Sequence, residues 1–268
     1  MESPPEAELL ASSLAFHPQP PSQVLSWAAA AGFRGVEVLC DPPWHPGAWP
    51  TAERAAARRA RDRGALLSLH APITDVNLMS PHPRVRKLAE EEVRATLALA
   101  ADIGAGSVTF HLGYRPAMGA AVDPPWEGAR AALARLRARA RALGVHLCLE
   151  NDGRHPQVFL GQLPAYRDLL AELALPGTLD LGHAWTVHGA ETAALLPDLM
   201  PFLHAVHLHD NHGKRDEHLP LGQGTVNLPT LWPQLRALPL KIIEVLTPAA
   251  VLESQKWLAQ HQAGRRGR

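Results

Sequence analysis

The sequence lacks any apolar run close to the roughly 18 residues that a membrane-spanning helix needs. Its first residues, MESPPEAELLASS, hold acids and prolines where a secretory signal peptide has a basic start and an apolar stretch. Only two cysteines occur in 268 residues, Cys40 and Cys148, and both fall in predicted strands. We therefore expect a cytosolic protein without a membrane partner, in which the two cysteines are buried free thiols.

An excess of basic charge is also missing, because 26 Lys and Arg residues balance 26 Asp and Glu residues. A protein dedicated to nucleic acid usually carries more basic than acidic residues, so the overall composition does not favour that role, although a local basic rim is compatible with it. The hydrophobic fraction of 46% and the charged fraction of 19% are ordinary for a globular protein with a large core.

Short apolar runs alternate with longer amphipathic runs along the chain. Strands are predicted at 10–16, 35–40, 66–72, 107–113, 146–151, 177–183, 204–210 and 241–246. Helices are predicted at 21–31, 51–63, 83–103, 125–142, 163–174, 190–199, 228–237 and 248–260. These eight βα units predict a single (β/α)₈ TIM-barrel domain over residues 1–268, with the barrel at about 10–262 and a short flexible tail at 263–268. An open doubly wound sheet and a seven-stranded incomplete barrel are the alternatives.

Glycines mark the predicted passage from each of several helices to the next strand. Each follows a helix and precedes a strand, as a C-terminal helix cap does. They are Gly32, Gly64, Gly104, Gly144 and Gly177.

Nine side chains that can bind a divalent cation lie at or just after the ends of the apolar runs. They are His70, His111, Glu150, Asp180, His183, His207, Asp216, His218 and Glu244. Because a parallel barrel brings the C-terminal ends of its strands to one rim, we expect these residues to share one pocket. Imidazole and carboxylate ligands together suit Zn²⁺, Mn²⁺, Co²⁺ or Fe²⁺.

The number of ligands bears on the chemistry. Four of them end consecutive predicted strands and form the most economical single-metal site: Glu150, Asp180, His207 and Glu244. One ion takes about four protein ligands, so nine candidates suffice for two or three ions. Ions spaced roughly 3.5–4 Å apart hydrolyse phosphate esters, whereas one ion with a glutamate on either side suits proton transfer beside a carbonyl.

Four further residues are candidates for binding a substrate. Glu37 ends the second strand, where it can bind a substrate hydroxyl or pair with an arginine across the barrel. Trp185 can form an apolar wall of the pocket or pack in the core. Lys214 and Arg215 lie in the loop after the seventh strand, where barrels often bind phosphate; a solvated charge pair is the alternative.

The ordered set of motifs resembles the xylose-isomerase-like TIM-barrel superfamily over nearly the whole chain. This superfamily contains sugar and sugar-phosphate isomerases and epimerases, and also endonuclease IV, the abasic-site nuclease of AP endonuclease family 2. The matching segments are LHAPITDVNL (69–78), FHLGY (110–114), LENDG (149–153), LDLGHA (179–184), HLHDNHGKRDEHLPLGQG (207–224) and IIEVLTP (242–248). Each motif is weak alone, but the set is specific to the superfamily.

The resemblance to the isomerases and epimerases implies one ion. Its ligands would be Glu150, Asp180, His207 and Glu244. Glu150 and Glu244 would then move protons on opposite faces of an enediolate, and His183 would hold a substrate hydroxyl. The metal would be Mn²⁺, Co²⁺ or Mg²⁺, and the substrate a sugar or sugar phosphate.

The resemblance to endonuclease IV implies three Zn²⁺ ions held by all nine residues, with Glu150 bridging ions and orienting a hydroxide, and abasic DNA as the substrate. The complete set of nine favours this metal count. However, the zero net charge and the absence of an aromatic wedge in APITDVNLMSPHP favour a small-molecule enzyme.

The leading hypothesis is a divalent-metal-dependent isomerase or epimerase, and the alternative is a trinuclear zinc phosphodiesterase acting at abasic sites. A metal- or sugar-binding barrel without turnover is a third reading, which two well-placed glutamates beside the metal argue against. A homo-oligomer is compatible with the sequence.

Overall fold

The computed structural model describes residues 9–115 and 125–263. Eight parallel strands pair in chain order and close into a barrel, because β1 pairs with both β2 and β8. The strands are β1 (Leu9–Ser12), β2 (Gly35–Leu39), β3 (Leu66–His70), β4 (Ser107–Phe110), β5 (His146–Glu150), β6 (Gly177–Asp180), β7 (Leu203–Leu208) and β8 (Leu240–Ile243). The predicted (β/α)₈ barrel is confirmed, and both alternatives are excluded.

Helices surround the barrel and connect its strands. They are α1 (Pro21–Ala30), α2 (Thr51–Asp62), α3 (Pro83–Ile103), α4 (Trp126–Leu143), α5 (Leu163–Leu173), α6 (Leu181–His188), α7 (Thr192–Leu199), α8 (Leu228–Leu235) and α9 (Pro248–Ala263). In α3, Ala89, Val93, Leu97 and Ala100 are fully buried at spacings of three and four residues. This spacing places them on one helix face, which packs into the core between helices and barrel.

The inside of the barrel is layered. Near the N-terminal ends of the strands, Leu10, Ala205, Leu240 and Ile242 form a small apolar cluster of their own. Above it lie buried polar side chains, among them Glu37, which accepts a hydrogen bond from Ser68 Oγ at 2.8 Å. Because side chains alternate along each strand, the next inward positions towards the C-terminal ends form the rim. The apolar cluster thus fills the barrel near the N-terminal ends of the strands, and the polar side chains lie towards the rim.

The sixth strand is shorter than predicted. It ends at Asp180 rather than at His183, because the Asp180 carboxylate accepts a hydrogen bond from the His183 backbone N–H at 2.6 Å and caps α6. The first strand likewise ends at Ser12, whose side chain accepts from the Leu14 N–H and begins a 3₁₀ helix over Ser13–Phe16. Local capping therefore overrides the apolar pattern at both strand ends.

Both cysteines are free and buried, as predicted. Burial raises the pKa of each thiol, and the nearby carboxylate of Glu37 raises it further, so neither is a ready nucleophile. Among the described residues, no helix has both the length and the apolar character needed to cross a membrane. The predicted tail lies outside the described residues except for Ala263, the last residue of α9.

Four of the five predicted glycine caps are confirmed, since Gly32, Gly64, Gly104 and Gly144 have positive φ angles just after helices. The prediction for Gly177 is wrong. Ala174, with φ of 46°, ends α5 instead, and Gly177 is the first residue of β6.

We expect Gly177→Ala to destabilise the fold by about 1–3 kcal/mol, because a Cβ atom at this position would overpack the core. That atom would lie 2.3 Å from Tyr166 Oη, which donates to the carbonyl oxygens of Leu149 and Thr178. Urea unfolding measures the effect. Gly106→Ala is the matched control, because a Cβ there meets nothing within 4 Å. Equal stabilities of the two variants would contradict the prediction.

Candidate metal centre

The nine predicted ligands lie together at the C-terminal rim of the barrel. Donor atoms of eight of them, together with His209, form three groups, and within each group one atom per residue lies within 4.8 Å of the others. The first group is His70, His111 and Glu150; the second is Glu150, Asp180, His207 and Glu244; the third is His209, Asp216 and His218. His183 adjoins the third group, since its Nε2 lies 3.1 Å from Asp216 Oδ2.

Glu150 joins the first two groups. Its Oε2 lies 3.0 Å from His70 Nε2 and 3.3 Å from His111 Nε2. Its other oxygen, Oε1, lies 3.1 Å from His207 Nδ1. Glu244 Oε2 is also 3.1 Å from His207 Nδ1. One buried carboxylate therefore faces donors on both sides, which is the geometry of a bridging ligand.

Three histidines are oriented in the same way. The Nδ1 atoms of His70, His183 and His218 lie 2.8–2.9 Å from the backbone carbonyl oxygens of Ala71, Asn151 and Glu244. A carbonyl only accepts, so each Nδ1 carries a proton and each neutral ring has its lone pair on Nε2.

These Nε2 atoms each point at a carboxylate oxygen. His70 Nε2 faces Glu150, and the Nε2 atoms of His183 and His218 both lie 3.1 Å from Asp216 Oδ2. Two lone pairs repel at such a distance unless a proton or a cation lies between them. This donor set fits a divalent metal ion, whose histidine ligands are typically held at the other ring nitrogen by a carbonyl or carboxylate.

The close contacts between histidines and carboxylates shift the pKa values of both kinds of group. Burial lowers the pKa of His70, but its hydrogen bond and charge interaction with Glu150 outweigh burial and raise the pKa to about 9. The same balance, with Asp216 as the partner, raises the pKa of His218 to about 9. Burial raises the pKa of Glu244, but the charge of His207 outweighs it and lowers the pKa to about 2. The pocket thus stabilises positive charge among its carboxylates.

We expect the chelated protein to lose stability as the pH rises above about 7. A histidine whose folded pKa exceeds its unfolded value stabilises the fold fully below about 6.5, and this contribution disappears as the pH passes the folded value. For His70 and His218 the loss is complete only above about 9. Urea unfolding in chelator at pH 6.5, 8 and 9.5 measures this slope. The zinc-loaded protein is the control, and a chelated protein whose stability is flat or rises over this range would refute the expectation.

Glu37 lies beneath the centre rather than in the pocket. Its Oε1 is 2.8 Å from His207 Nε2, which is an ion-pair contact, and neither atom has a hydrogen-bond partner among the described residues. The side chain is fully buried, so the structure does not support the predicted contact with a substrate hydroxyl or with an arginine across the barrel. Its position suits it to hold the proton on His207 Nε2 and leave Nδ1 free to face Glu150 and Glu244.

We expect Glu37→Gln to weaken metal binding by about 10–100-fold, the usual effect of losing a partner behind a metal-binding histidine. Competition with a chromophoric chelator measures the affinity. Ser68→Ala is the control, because it removes a hydrogen bond to the other oxygen of the same carboxylate and leaves the contact with His207 in place. An affinity of Glu37→Gln equal to that of the Ser68→Ala variant would show that Glu37 does not act on His207.

The loop after β7 carries Asp216 and His218 and is fixed at its base by Asp210. The buried carboxylate of this residue accepts hydrogen bonds from the backbone N–H groups of Asn211, Gly222 and Val226 at 2.8–2.9 Å. A two-way backbone bridge between Asp210 and Leu219 closes the same loop. The third ligand group therefore rests on a well-bonded scaffold although Asp216 itself is exposed.

A cavity of about 660 Å³ opens above the ligands. Lys214 and Arg215 line it, and their contact with a substrate stays a prediction. Exposed apolar side chains stand at the same cavity: Ile73 and Tyr114 are each 44% exposed and Leu246 is 57% exposed. The mouth of the pocket thus combines cationic and apolar surface.

Trp185 lies outside this cavity lining. It is buried, and its indole N–H donates to Thr225 Oγ1 at 3.0 Å, so it packs against the loop after β7 instead of forming a wall for substrate. The packing alternative is therefore the one that its position supports.

Sequence reasoning missed His209. It lies two residues beyond His207, and the alternation of side chains along an extended chain puts both on one face. That signal was present in the run LHAVHLHD. Asn151 was missed too; its side chain both donates to the Asp180 carbonyl oxygen and accepts from the Asp180 N–H, and so holds that ligand's backbone.

The closed barrel and the candidate ligand groups at its rim define a TIM barrel with a candidate metal centre. The sequence model of the xylose isomerase-like TIM barrel family matches residues 25–261, and the chain belongs to this family. The resemblance inferred from the motifs is confirmed, and the structural neighbours of the chain include both epimerases and endonuclease IV.

Three relatives illustrate the range. A probable endonuclease 4 of Mycobacterium marinum is 28% identical over 225 residues, which cover 80% of this chain and 86% of that protein. The structure of the TTHB071 protein from Thermus thermophilus, soaked with ZnCl₂, is 26% identical with a TM-score of 0.73, covering 97% and 99% of the two chains. A D-tagatose 3-epimerase-like protein is 24% identical with a TM-score of 0.84, covering 96% and 97%. The last likeness shows the fold alone.

Proposed function

We propose that this protein is a hydrolase of phosphate esters that uses two or three divalent metal ions, with zinc as the preferred metal. The observation that carries the proposal is the junction of ligand groups through Glu150, with a third group beside them. A single-ion enzyme needs only the second group. The additional histidines face the carboxylates of Glu150 and Asp216, and together with Asp216 they supply donors for further ions.

The residues that would hold the ions are those of the first two groups together with His183, Asp216 and His218. Bound divalent ions supply Lewis acidity to a phosphoryl oxygen and lower the pKa of water towards neutrality. His70, His183 and His218 keep their rings in place through backbone carbonyls, so the donors are positioned before a substrate arrives.

Other residues of the rim would bind the substrate. Lys214 and Arg215 place positive charge beside the third ligand group, where a phosphate oxygen would be held. Ile73, Tyr114 and Leu246 offer apolar surface to the organic part of the ester and exclude water from it. The guanidinium of Arg154 is engaged elsewhere, because it donates to the carbonyl oxygens of Thr186 and Val187.

The relatives give independent support. The name of the Mycobacterium marinum protein refers to an endonuclease, which breaks phosphodiester bonds, and the Thermus structure was obtained with ZnCl₂. The phosphodiester bond beside an abasic site in duplex DNA, the substrate that the resemblance of the motifs implies, is the first to test. A cytosolic location and a homo-oligomeric state remain part of this proposal.

A sugar or sugar-phosphate isomerase or epimerase is the second candidate. The carboxylates of Glu150 and Glu244 both lie 3.1 Å from His207 Nδ1, so two proton-transfer groups stand at one ligand group. The zero net charge also suits a small substrate better than a long duplex. In this reading Glu150 and Glu244 move protons, one ion of Mn²⁺, Co²⁺ or Mg²⁺ is needed, and His183 holds a hydroxyl.

One preparation can decide between the candidates. Elemental analysis of protein purified without added metal gives the number of ions per chain, expected to be two or three. The same protein is then assayed for cleavage of an abasic duplex and of bis(p-nitrophenyl) phosphate, and for incorporation of solvent deuterium into ketoses. Cleavage that is lost on chelation and restored by zinc supports the hydrolase. Deuterium exchange without cleavage, at one ion per chain, would overturn it in favour of the isomerase.

A further inference from the structure

His209 contacts two ligands of different groups. It lies just after β7 and is fully buried. Its Nε2 atom is 3.0 Å from Asp180 Oδ1 and 3.2 Å from Asp180 Oδ2. The same atom is 3.5 Å from Asp216 Oδ1. This one nitrogen therefore connects a carboxylate of the second ligand group to a carboxylate of the third.

The ring of His209 is oriented in the opposite way to the rings of its neighbours His183 and His218. His183 and His218 have Nδ1 on a backbone carbonyl, which leaves Nε2 without a proton in the neutral ring. In His209 the buried Nδ1 atom has no hydrogen-bond partner among the described residues. A proton on the buried Nδ1 would have no acceptor, so the favourable arrangement puts the proton on Nε2, which donates to the Asp180 carboxylate and also faces Asp216 Oδ1.

The surrounding packing keeps the ring in this position. His209 stacks on His218, with ring centroids 4.1 Å apart and an angle of 21° between the planes. On another side, Gly182 leaves the space that the ring fills, since a Cβ atom there would lie 1.9 Å from His209 Cε1. A glycine in the first turn of α6 and the stacked His218 thus fix which atom of His209 meets Asp180.

We propose that His209 is a positioning residue of the metal centre rather than a ligand. Its Nε2–H orients Asp180 and Asp216 and so couples the occupancy of the second and third ligand groups. Removing the donor leaves Asp180 with its hydrogen bond from the His183 N–H and takes away the contact of Nε2 with Asp216, which weakens binding of the ions that these carboxylates would hold. The inference of coupling rests on the proposed multi-metal function; the hydrogen bond to Asp180 does not.

The test compares His209→Gln with His209→Asn. The Gln amide can reach the position of Nε2 and donate, whereas the shorter Asn amide cannot. Zinc per chain is measured by elemental analysis after dialysis, and zinc affinity by competition with a chromophoric chelator. We expect His209→Asn to retain fewer ions and to bind zinc about 10–100-fold more weakly, while His209→Gln stays within a few-fold of the parent.

His204→Gln is the matched control, because His204 lies near the start of β7, the strand that His209 follows, and its ring stacks on His146 at 4.2 Å between centroids. Circular dichroism establishes that each variant is folded. Equal losses in the Gln and Asn variants would show that Nε2 is itself a ligand and would overturn the proposal, as would parent-like zinc binding in His209→Asn. If the Asn variant does not fold, the Gln variant alone decides. Zinc affinity lowered tenfold or more in His209→Gln would overturn the proposal, whereas affinity within a few-fold of the parent supports it.

The outcome can be separated from failure of the proposed function. A parent protein that holds only one ion would contradict the multi-metal hydrolase and the coupling. If His209 positions Asp180 as inferred, His209→Asn would still weaken binding of that single ion. His209→Gln would leave the binding of this ion unchanged. None of these readouts requires turnover of a substrate.

Discussion

Replacement of Glu150 by glutamine is expected to reduce phosphoester hydrolysis by about 10³-fold, which corresponds to the several kcal/mol that metal ions contribute to stabilising a transition state. Glu150 has one oxygen on the histidines of the first group and the other on His207. Glutamine keeps the size of the side chain but removes its charge, and one end of its amide cannot act as a ligand. The bridge between the first two groups is therefore lost.

The measurement combines the hydrolysis rate with the zinc content of the same sample. The Glu150→Gln variant is expected to lose at least one tightly bound ion as well as activity. Glu172→Gln is the control for a change of the same kind on the surface, where Glu172 pairs with Arg130 on a neighbouring helix. A Glu150→Gln variant with the hydrolysis rate and zinc content of the parent would show that Glu150 is not a ligand of the metal centre.

Removal of the metal is expected to lower the midpoint of thermal unfolding by about 8–16 °C. An ion present at 1,000 times its dissociation constant stabilises the native state by about 4 kcal/mol, and each kcal/mol shifts the midpoint of a chain of this size by about 2–4 °C. The structural reason is the gathering of Glu150, Asp180 and Glu244 around His207, with distances of 3.1, 3.9 and 3.1 Å to its Nδ1. Without a cation, the histidines must supply the compensating charge.

Differential scanning calorimetry of chelated and zinc-loaded protein measures the shift. We expect added zinc to restore the unfolding midpoint and the same concentration of magnesium not to restore it. This result would identify a site that supplies nitrogen and oxygen donors together. The Glu150→Gln variant is expected to show a smaller shift than the parent. An unfolding midpoint that is the same with and without metal would mean that the ligand groups do not bind an ion in the native state.

The fold could be predicted from the sequence because its elements repeat. Eight alternations of apolar and amphipathic runs leave few architectures, and the barrel rule then places strand-end residues such as His70 and Glu150 at one rim without knowledge of any contact. The ligands that follow strands directly were therefore accessible to sequence reasoning. Their assignment to three groups was not, because it depends on distances across the barrel.

Residues beyond the regular pattern were harder to place. His183 was expected at the end of a strand, but capping by Asp180 turns the chain into a helix and presents the ring from its first turn. Glu37 and Trp185 have the right chemistry for a pocket, yet one lies below His207 and the other in the core. Which side of an element faces the cavity is set by packing, and a single sequence does not record it.

The segment fixed by Asp210 joins two properties in one piece of chain. It carries Asp216 and His218, which are candidate metal ligands, and Lys214 and Arg215, which line the cavity. A displacement of this segment would change the number of bound cations and the attraction for anions together. If this loop were exchanged between related barrels, the number of metal ions and the preference for substrate charge would consequently change together.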